Sequence, residues 1–184
     1  MRETEPINYS LKQLLHDLWH YIRPYKWRFY VTTFLRATSD LVWLYPGLAL
    51  AQVVNYFSSY QPGNSLEPII PIAILWVAAS LYRNFAREVC KYIGYQLSER
   101  VSLDAQLAAY KRLFQIDLAW HEQESSGAKM KRIQRGAKAI DDIIRAWIDT
   151  IIEATVRFVG TVVILSSFDI RIGLMMAMFI ASYY

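Results

Sequence analysis

The chain has little of the chemistry that makes catalytic or metal sites. Its 184 residues include one cysteine, Cys90, so no disulfide can form within the chain. His16 and His20 share a helix face at metal-ligand spacing, but only Asp17 is near them in sequence, and a zinc site needs more protein ligands than that. None of the seven glycines begins a phosphate-binding G-x-x-x-x-G-K-[ST] run. The sequence therefore predicts no catalytic residue, no metal and no bound cofactor on this chain.

The sequence also lacks a secretory leader and a nucleic-acid-binding stripe. The first 28 residues are polar and amphipathic, without the charged and then apolar pattern and small-residue cleavage site of a signal peptide. The net charge of +4 is modest, and acidic residues are interleaved with the basic ones. Such mixing is typical of a solvated helix face rather than of a surface that follows phosphates, so no nucleic-acid partner is expected.

What the sequence does have is three long, mostly apolar stretches, at residues 29–57, 69–82 and 143–168. About 20 helical residues cross a bilayer core of about 30 Å. The segment from Arg83 to Arg145 is rich in charge but keeps helical periodicity. Helices over residues 69–116 and 127–168 would measure roughly 72 and 63 Å at 1.5 Å per residue. These lengths predict an all-α polytopic membrane bundle whose helices continue far into the cytosol.

The domain organisation follows from these stretches. We expect an amphipathic elbow helix at the inner interface within residues 1–27 and a membrane domain over 28–184, which looks truncated because the chain stops inside an apolar run. The predicted spans are about 29–57 with a kink at Pro46-Gly47, 69–89, 143–167 and a partial 172–184, with a first intracellular loop at about 90–142. Basic residues are absent from the loop at 58–68 and cluster elsewhere, which predicts a cytosolic N-terminus.

Charged residues at membrane depth form the candidate site. Six of them are spaced three or four residues apart and would share one helix face: Lys138, Asp142, Arg145, Asp149, Glu153 and Arg157. The face allows two interpretations, the lining of a polar pathway or a salt-bridge ladder that fixes helix packing. Arg36 and Asp40, about 13 Å inside the first span, are interpreted as an interior ion pair. The residues that could line a cavity are Arg36, Asp40, Arg83, Arg87, Asp149, Glu153 and Arg157.

Three stretches resemble the transmembrane domain of ABC exporters with six spans per half. Residues 21–28 (YIRPYKWR), which follow an amphipathic helix, resemble that family's elbow and entry to its first span. Residues 120–127 (WHEQESSG) resemble its first intracellular loop, with an aromatic pair, an acidic residue and a glycine seven positions after the first aromatic. Arg132 keeps the arginine of the family's Ser-Arg pair, whereas Arg135-Gly136 stands where its Asn-Asp would fall. Residues 168–174 (FDIRIGL) resemble the turn between its third and fourth spans.

The resemblance implies a mechanism and a set of partners. A coupling helix near residues 117–124 would dock on a nucleotide-binding domain, with Trp120 as the anchor. ATP and Mg would bind on that domain, so the parent would hydrolyse ATP although this chain lacks the ATPase. Two such half-transporters would form a homo- or heterodimer in the plasma (inner) membrane. The implied coupling residues are Asp117, Trp120, His121, Glu122, Gly127 and Arg132.

Other classes of protein fit parts of the pattern. A non-transporting membrane scaffold that recruits a cytosolic partner is the main alternative, and a soluble helical coiled coil is a second. An intramembrane enzyme is disfavoured because the sequence shows no catalytic grouping. If the chain does belong to a transporter, its aromatic and aliphatic spans favour an amphipathic or lipid-like substrate.

Overall fold

The computed structural model describes residues 10–61, 65–115 and 126–183. Within these ranges all regular structure is helical, which confirms the predicted all-α class. The elements are α1 (Leu11–Ile22), a 3-10 turn (Arg23–Tyr25), α2 (Lys26–Val42), α3 (Tyr45–Ser58), α4 (Ile69–Gln115), α5 (Ser126–Ala146), a π-helical segment (Trp147–Ile151), α6 (Ile152–Phe168) and α7 (Ile170–Tyr183).

Helix α1 is a short amphipathic helix with a capped start. The backbone N–H of Ser10 donates to the side-chain oxygen of Gln13 at 3.1 Å, which satisfies a group at the helix entrance. Pro24 lies in the 3-10 turn that follows. Trp19 packs edge-on against Phe29 of α2, with ring centroids 6.1 Å apart, and holds α1 against the next helix.

The first apolar stretch forms two helices with an interruption at Trp43 and Leu44. Pro46 lies at the start of α3 and has no backbone N–H. In a continuous helix that missing donor would have bonded the carbonyl of Val42, which is the last residue of α2. The kink predicted at Pro46-Gly47 is therefore present, and the helix stops four residues before the proline that causes it.

Within the described residues, two helices are long and apolar enough to cross a membrane. They are α4, with 47 residues, and the continuous run Gly127–Phe168, with 42 residues, while α7 is apolar but shorter. Large apolar side chains along the first part of α4 are more than half exposed, including Ile74, Val77 and Phe85. An outward-facing apolar surface of this kind is stable in lipid and contradicts the interpretation as a soluble coiled coil.

The chain divides into two compact units. One, here called the polar unit, falls within residues 1–30 and 94–145; the other, the apolar unit, falls within 31–93 and 146–184. In the polar unit Leu97, Val101 and Ile144 are buried, and the Ser102 hydroxyl donates to the carbonyl of Ala137 at 2.8 Å, which joins α4 to α5. In the apolar unit the Cys90 thiol donates to the carbonyl of Thr32 at 3.3 Å, which joins α2 to α4.

Candidate functional site

The predicted site residues fall into three groups in the structure. Asp117, Trp120, His121 and Glu122 lie outside the described residues. Gly127 and Arg132 are exposed residues of α5 in the polar unit. The candidate cavity-lining residues all belong to the apolar unit, and four of them make direct contact there.

Helix α2 has its polar face buried and its apolar face exposed. Thr32, Arg36, Ser39 and Asp40 follow one another at helical spacing, and all four are at most 3 % exposed. Phe34, on another face of the same helix, is 68 % exposed. A soluble helix has the opposite arrangement. The inversion is typical of a helix that turns its apolar side to lipid and its charged side to a protein interior.

Four charged side chains from α2 and α6 form a closed cluster, here called the charged quartet: Arg36, Asp40, Glu153 and Arg157. Arg36 Nε lies 2.9 Å from Asp40 Oδ2, in an ion pair whose angle is not that of a hydrogen bond. The Arg36 guanidinium also contacts the carboxylate of Glu153. Arg157 completes the cluster, 2.5 Å from Glu153 and 3.8 Å from Asp40. The predicted Arg36–Asp40 pair is confirmed, and two positive and two negative charges balance within the cluster.

A π-helical segment adjoins the quartet. Arg36 donates a hydrogen bond of 3.2 Å to the backbone carbonyl of Asp149, which lies inside the segment Trp147–Ile151. The indole N–H of Trp147 donates to the Thr33 hydroxyl at 3.3 Å. Helix α2 therefore makes two hydrogen bonds to the π-helical segment. Segments of π-helix inside α-helices occur often at functional sites, because they redirect side chains and backbone groups.

The π segment also corrects the prediction of a six-residue charged face. That prediction assumed α-helical spacing from Lys138 to Arg157, whereas five residues between them are π-helical. Lys138 and Asp142 do pair, at 3.8 Å. Arg145, however, donates to both carboxylate oxygens of Asp141, at 3.0 and 2.9 Å, rather than continuing the row.

Trp43 connects the quartet to a third arginine, Arg83. The Arg157 guanidinium lies over the Trp43 ring, 4.4 Å from its centroid, and the Arg83 guanidinium lies 5.9 Å from the same centroid. Both distances are within the range of cation–π attraction. Ser39 holds the backbone of Arg83 by donating to its carbonyl at 3.2 Å. Arg87, the remaining predicted arginine, is instead 3.4 Å from its neighbour Glu88.

An apolar cavity of about 470 Å³ lies beside Trp43 in the apolar unit. It is lined by residues of the α2–α3 turn, α3 and α6: Trp43, Leu44, Pro46, Gly47, Leu48, Ala51, Thr161, Ile164, Leu165 and Phe168. Its volume is in the range of small-molecule pockets. Sequence reasoning did not find this cavity or the contacts of Trp43, because both depend on how α6 packs against the kink before Pro46.

The chemistry of the site is that of its charged groups, two guanidinium groups and two carboxylates. The quartet contains paired charges and aromatic contacts, not a nucleophile beside a base. Among residues 10–61, 65–115 and 126–183, no group of three or more His, Cys, Asp or Glu side chains could hold a metal ion.

Comparison with known proteins adds the family. No curated protein matches the chain. The family model described as the ABC transporter transmembrane region matches residues 29–184, which include the charged quartet, the π segment and both long helices. The exposed apolar surface of α4 and the inverted face of α2 agree with that match. The chain belongs to the ABC transporter transmembrane family and is an integral membrane protein.

Proposed function

We propose that this chain forms part of the translocation pathway of an ATP-driven exporter. The observation that carries the proposal is the charged quartet, which lies within the apolar unit and within the region that the transmembrane family model matches. A charge inside a membrane domain has a high free-energy cost unless it faces protein or water. Charged residues there therefore indicate transport pathways and gates more often than a purely structural role. The contact between Arg36 and the π segment supplies a place where a small movement could open the quartet.

The partners proposed are those of an exporter half. A nucleotide-binding domain would bind ATP and Mg and dock near residues 117–124. A second half-transporter, identical or related, would complete the pathway. Helix α4 and the continuous run Gly127–Phe168 support this arrangement, because both continue well beyond the length that a bilayer needs. We further propose the plasma (inner) membrane with a cytosolic N-terminus, as the distribution of basic residues predicts.

Substitution of Trp120 tests the coupling role. In the complete transporter reconstituted in vesicles, Trp120→Ala should reduce transport at least ~10-fold, because an aromatic anchor at an interface centre contributes about 2 kcal/mol or more. ATP hydrolysis should continue but no longer respond to substrate. The measurements are vesicle uptake and ATPase activity on the same preparation.

The matched control is Trp76→Ala, which removes the same side chain from an exposed position on α4. This variant should keep coupled transport. Equal behaviour of the two variants would remove Trp120 from the coupling role. A preparation that binds a cytosolic partner but neither hydrolyses ATP nor transports would support the membrane scaffold instead.

A further inference from the structure

We propose that Arg83, Trp43 and the apolar cavity beside them bind an amphipathic anion, with its anionic head at Arg83 and its apolar chain in the cavity. The inference rests on the proposed translocation function and names the chemical class of its substrate. The ligand class is a single apolar chain that ends in a carboxylate or a similar anion.

The first argument is the charge of Arg83. The quartet balances itself, and Arg87 has Glu88 beside it. Arg83 has no carboxylate within ion-pair distance in the part of the chain that the structure describes, and its Nε is buried without a hydrogen-bond partner. A guanidinium at membrane depth is stable only with a compensating anion or with water. A ligand carboxylate would supply that anion and accept two parallel hydrogen bonds.

The second argument is the position of Trp43. The Arg83 guanidinium lies 5.9 Å from the centroid of its ring, and Trp43 also forms part of the cavity wall. A ligand with its head at Arg83 would therefore run along the indole into a space lined by Leu44, Leu48, Ile164 and Leu165. One aromatic side chain joins the polar and apolar parts of the site. That juxtaposition fits an amphipathic molecule better than a purely polar or purely apolar one.

The third argument is depth, which distinguishes a transported solute from a bilayer lipid. Arg83 lies 14 positions after Ile69, the first residue of α4. At 1.5 Å per residue this places it about 21 Å along the helix. If Ile69 lies at the outer edge of a hydrocarbon core about 30 Å thick, Arg83 lies roughly 9 Å inside its inner edge, below the headgroups of resident lipids. A ligand whose head reaches Arg83 would lie deeper than a resident lipid, and the positive charges of Arg83 and Arg157 disfavour a cationic one.

The experiment is a fluorescence-quenching titration of the full chain in nanodiscs of phosphatidylcholine. The probe is bromine-labelled laurate. The signal is the difference in tryptophan quenching between wild type and Trp43→Phe, which isolates the contribution of Trp43 among the six tryptophans. Laurate should bind wild type at least ~10-fold more tightly than bromine-labelled lauryl alcohol, since one ion pair at membrane depth is worth a factor of that order. Arg83→Gln should abolish the preference, whereas Arg83→Lys should keep most of it.

Two controls separate the charge from the cavity. Lys91→Gln removes another cation of α4 outside the site and should leave the preference unchanged. Ala51→Phe adds a ring to the cavity wall and should weaken acid and alcohol alike. The comparison of acid with alcohol needs the wild type and Trp43→Phe but not Arg83→Gln, so the test stands even if Arg83→Gln does not fold.

The proposal is overturned if wild type binds acid and alcohol equally, which would leave only an apolar cavity. Tighter binding of a lauryl ammonium probe, or a preference that survives Arg83→Gln, would also overturn it. No nucleotide is present in this titration. Failure here together with intact Trp120-dependent coupling would therefore reject the ligand class and leave the proposed function standing.

Discussion

The polar and apolar units each contain an arginine and an aspartate four residues apart, and the two pairs differ in their surroundings. In the polar unit Arg145 Nε lies 2.9 Å from Asp141 Oδ2, with the arginine side chain 31 % exposed. In the apolar unit Arg36 Nε lies 2.9 Å from Asp40 Oδ2, with both side chains at most 4 % exposed. Sequence spacing and distance are the same. The medium around the charges therefore decides what each pair contributes.

The more exposed of these two pairs, Arg145–Asp141, is partly buried and is the better hydrogen-bonded one. Arg145 donates to both oxygens of Asp141, whereas the Arg36–Asp40 contact is ionic and Arg36 is shared with Glu153 and with the carbonyl of Asp149. An exposed pair contributes about 0–1 kcal/mol because water and salt screen it. Loss of one partner in a buried cluster leaves the other charge stranded, at a cost of about 3–5 kcal/mol. The weaker geometry thus belongs to the pair whose disruption costs more.

The largest expected effect comes from breaking the quartet. Glu153→Leu removes the carboxylate that contacts both arginines, so the protein should lose about 3 kcal/mol of stability or fail to fold. The estimate lies at the low end of the range because the Glu153 side chain is 27 % exposed. The measurement is denaturant unfolding in mixed micelles, followed by circular dichroism, with transport measured on the complete protein.

Glu99→Leu is the matched control in the polar unit. Glu99 lies 3.6 Å from Arg145 and its side chain is 66 % exposed, so its loss should change stability by less than about 1 kcal/mol. Similar losses for the two variants would mean that burial does not distinguish the two units. Wild-type stability and transport for Glu153→Leu would reject any role of the quartet.

A smaller effect of opposite sign in the two units is expected at glycines. A Cβ at Gly173 in α7 would overlap the Ser166 side chain of α6 and lie 3.0 Å from its Cα, so Gly173→Ala should destabilise the apolar unit by about 1–2 kcal/mol. Nothing lies within 4 Å of the corresponding position at Gly136 in α5. Gly136→Ala should therefore stabilise its helix by up to about 1 kcal/mol.

The same unfolding assay compares the two glycine variants. Helices in lipid lack a hydrophobic driving force for association and depend on close approach through small residues. If Gly173→Ala were as stabilising as Gly136→Ala, close packing of α6 on α7 would not be a source of stability in the apolar unit.

Local features of the fold could be predicted from the sequence because their causes are local. The helical class, the break before Pro46 and the Arg36–Asp40 pair each follow from residues within one turn or two of each other. The contacts of Arg36 with Glu153 and of Trp43 with Arg157 join residues more than 110 positions apart. Helical periodicity relates only residues that are close in sequence. It therefore predicted that these side chains lie in the apolar spans, but it could not predict which of them pair.

The π segment shows a second limit of sequence reasoning. Spacing arguments for Lys138 to Arg157 assume 3.6 residues per turn, and residues 147–151 depart from that value. The sequence of residues 147–151 contains no pattern that predicts a π-helix. The segment coincides with two contacts from α2, through Arg36 and through Thr33. Tertiary contact therefore accompanies the irregular turn, and tertiary contact was the information that the sequence alone did not provide.

The smallest expected effect is a change in the pKa of Tyr25, in the polar unit. The Tyr25 hydroxyl donates to Asp104 Oδ2 at 2.9 Å, and this hydrogen bond, together with partial burial and the negative charge of Asp104, raises the pKa of Tyr25 above its ordinary value near 10. The neutral phenol is the form that donates. The contact is therefore fully present at neutral pH and is lost as the pH rises through the raised pKa.

A difference titration of tyrosinate absorbance, wild type minus Tyr25→Phe, should give this group a higher pKa than that of an ordinary tyrosine. Asp104→Asn should lower its pKa, because the carboxylate that stabilises the phenol is removed. A Tyr25 that titrates identically with and without the Asp104 carboxylate would show that the bond does not persist in solution.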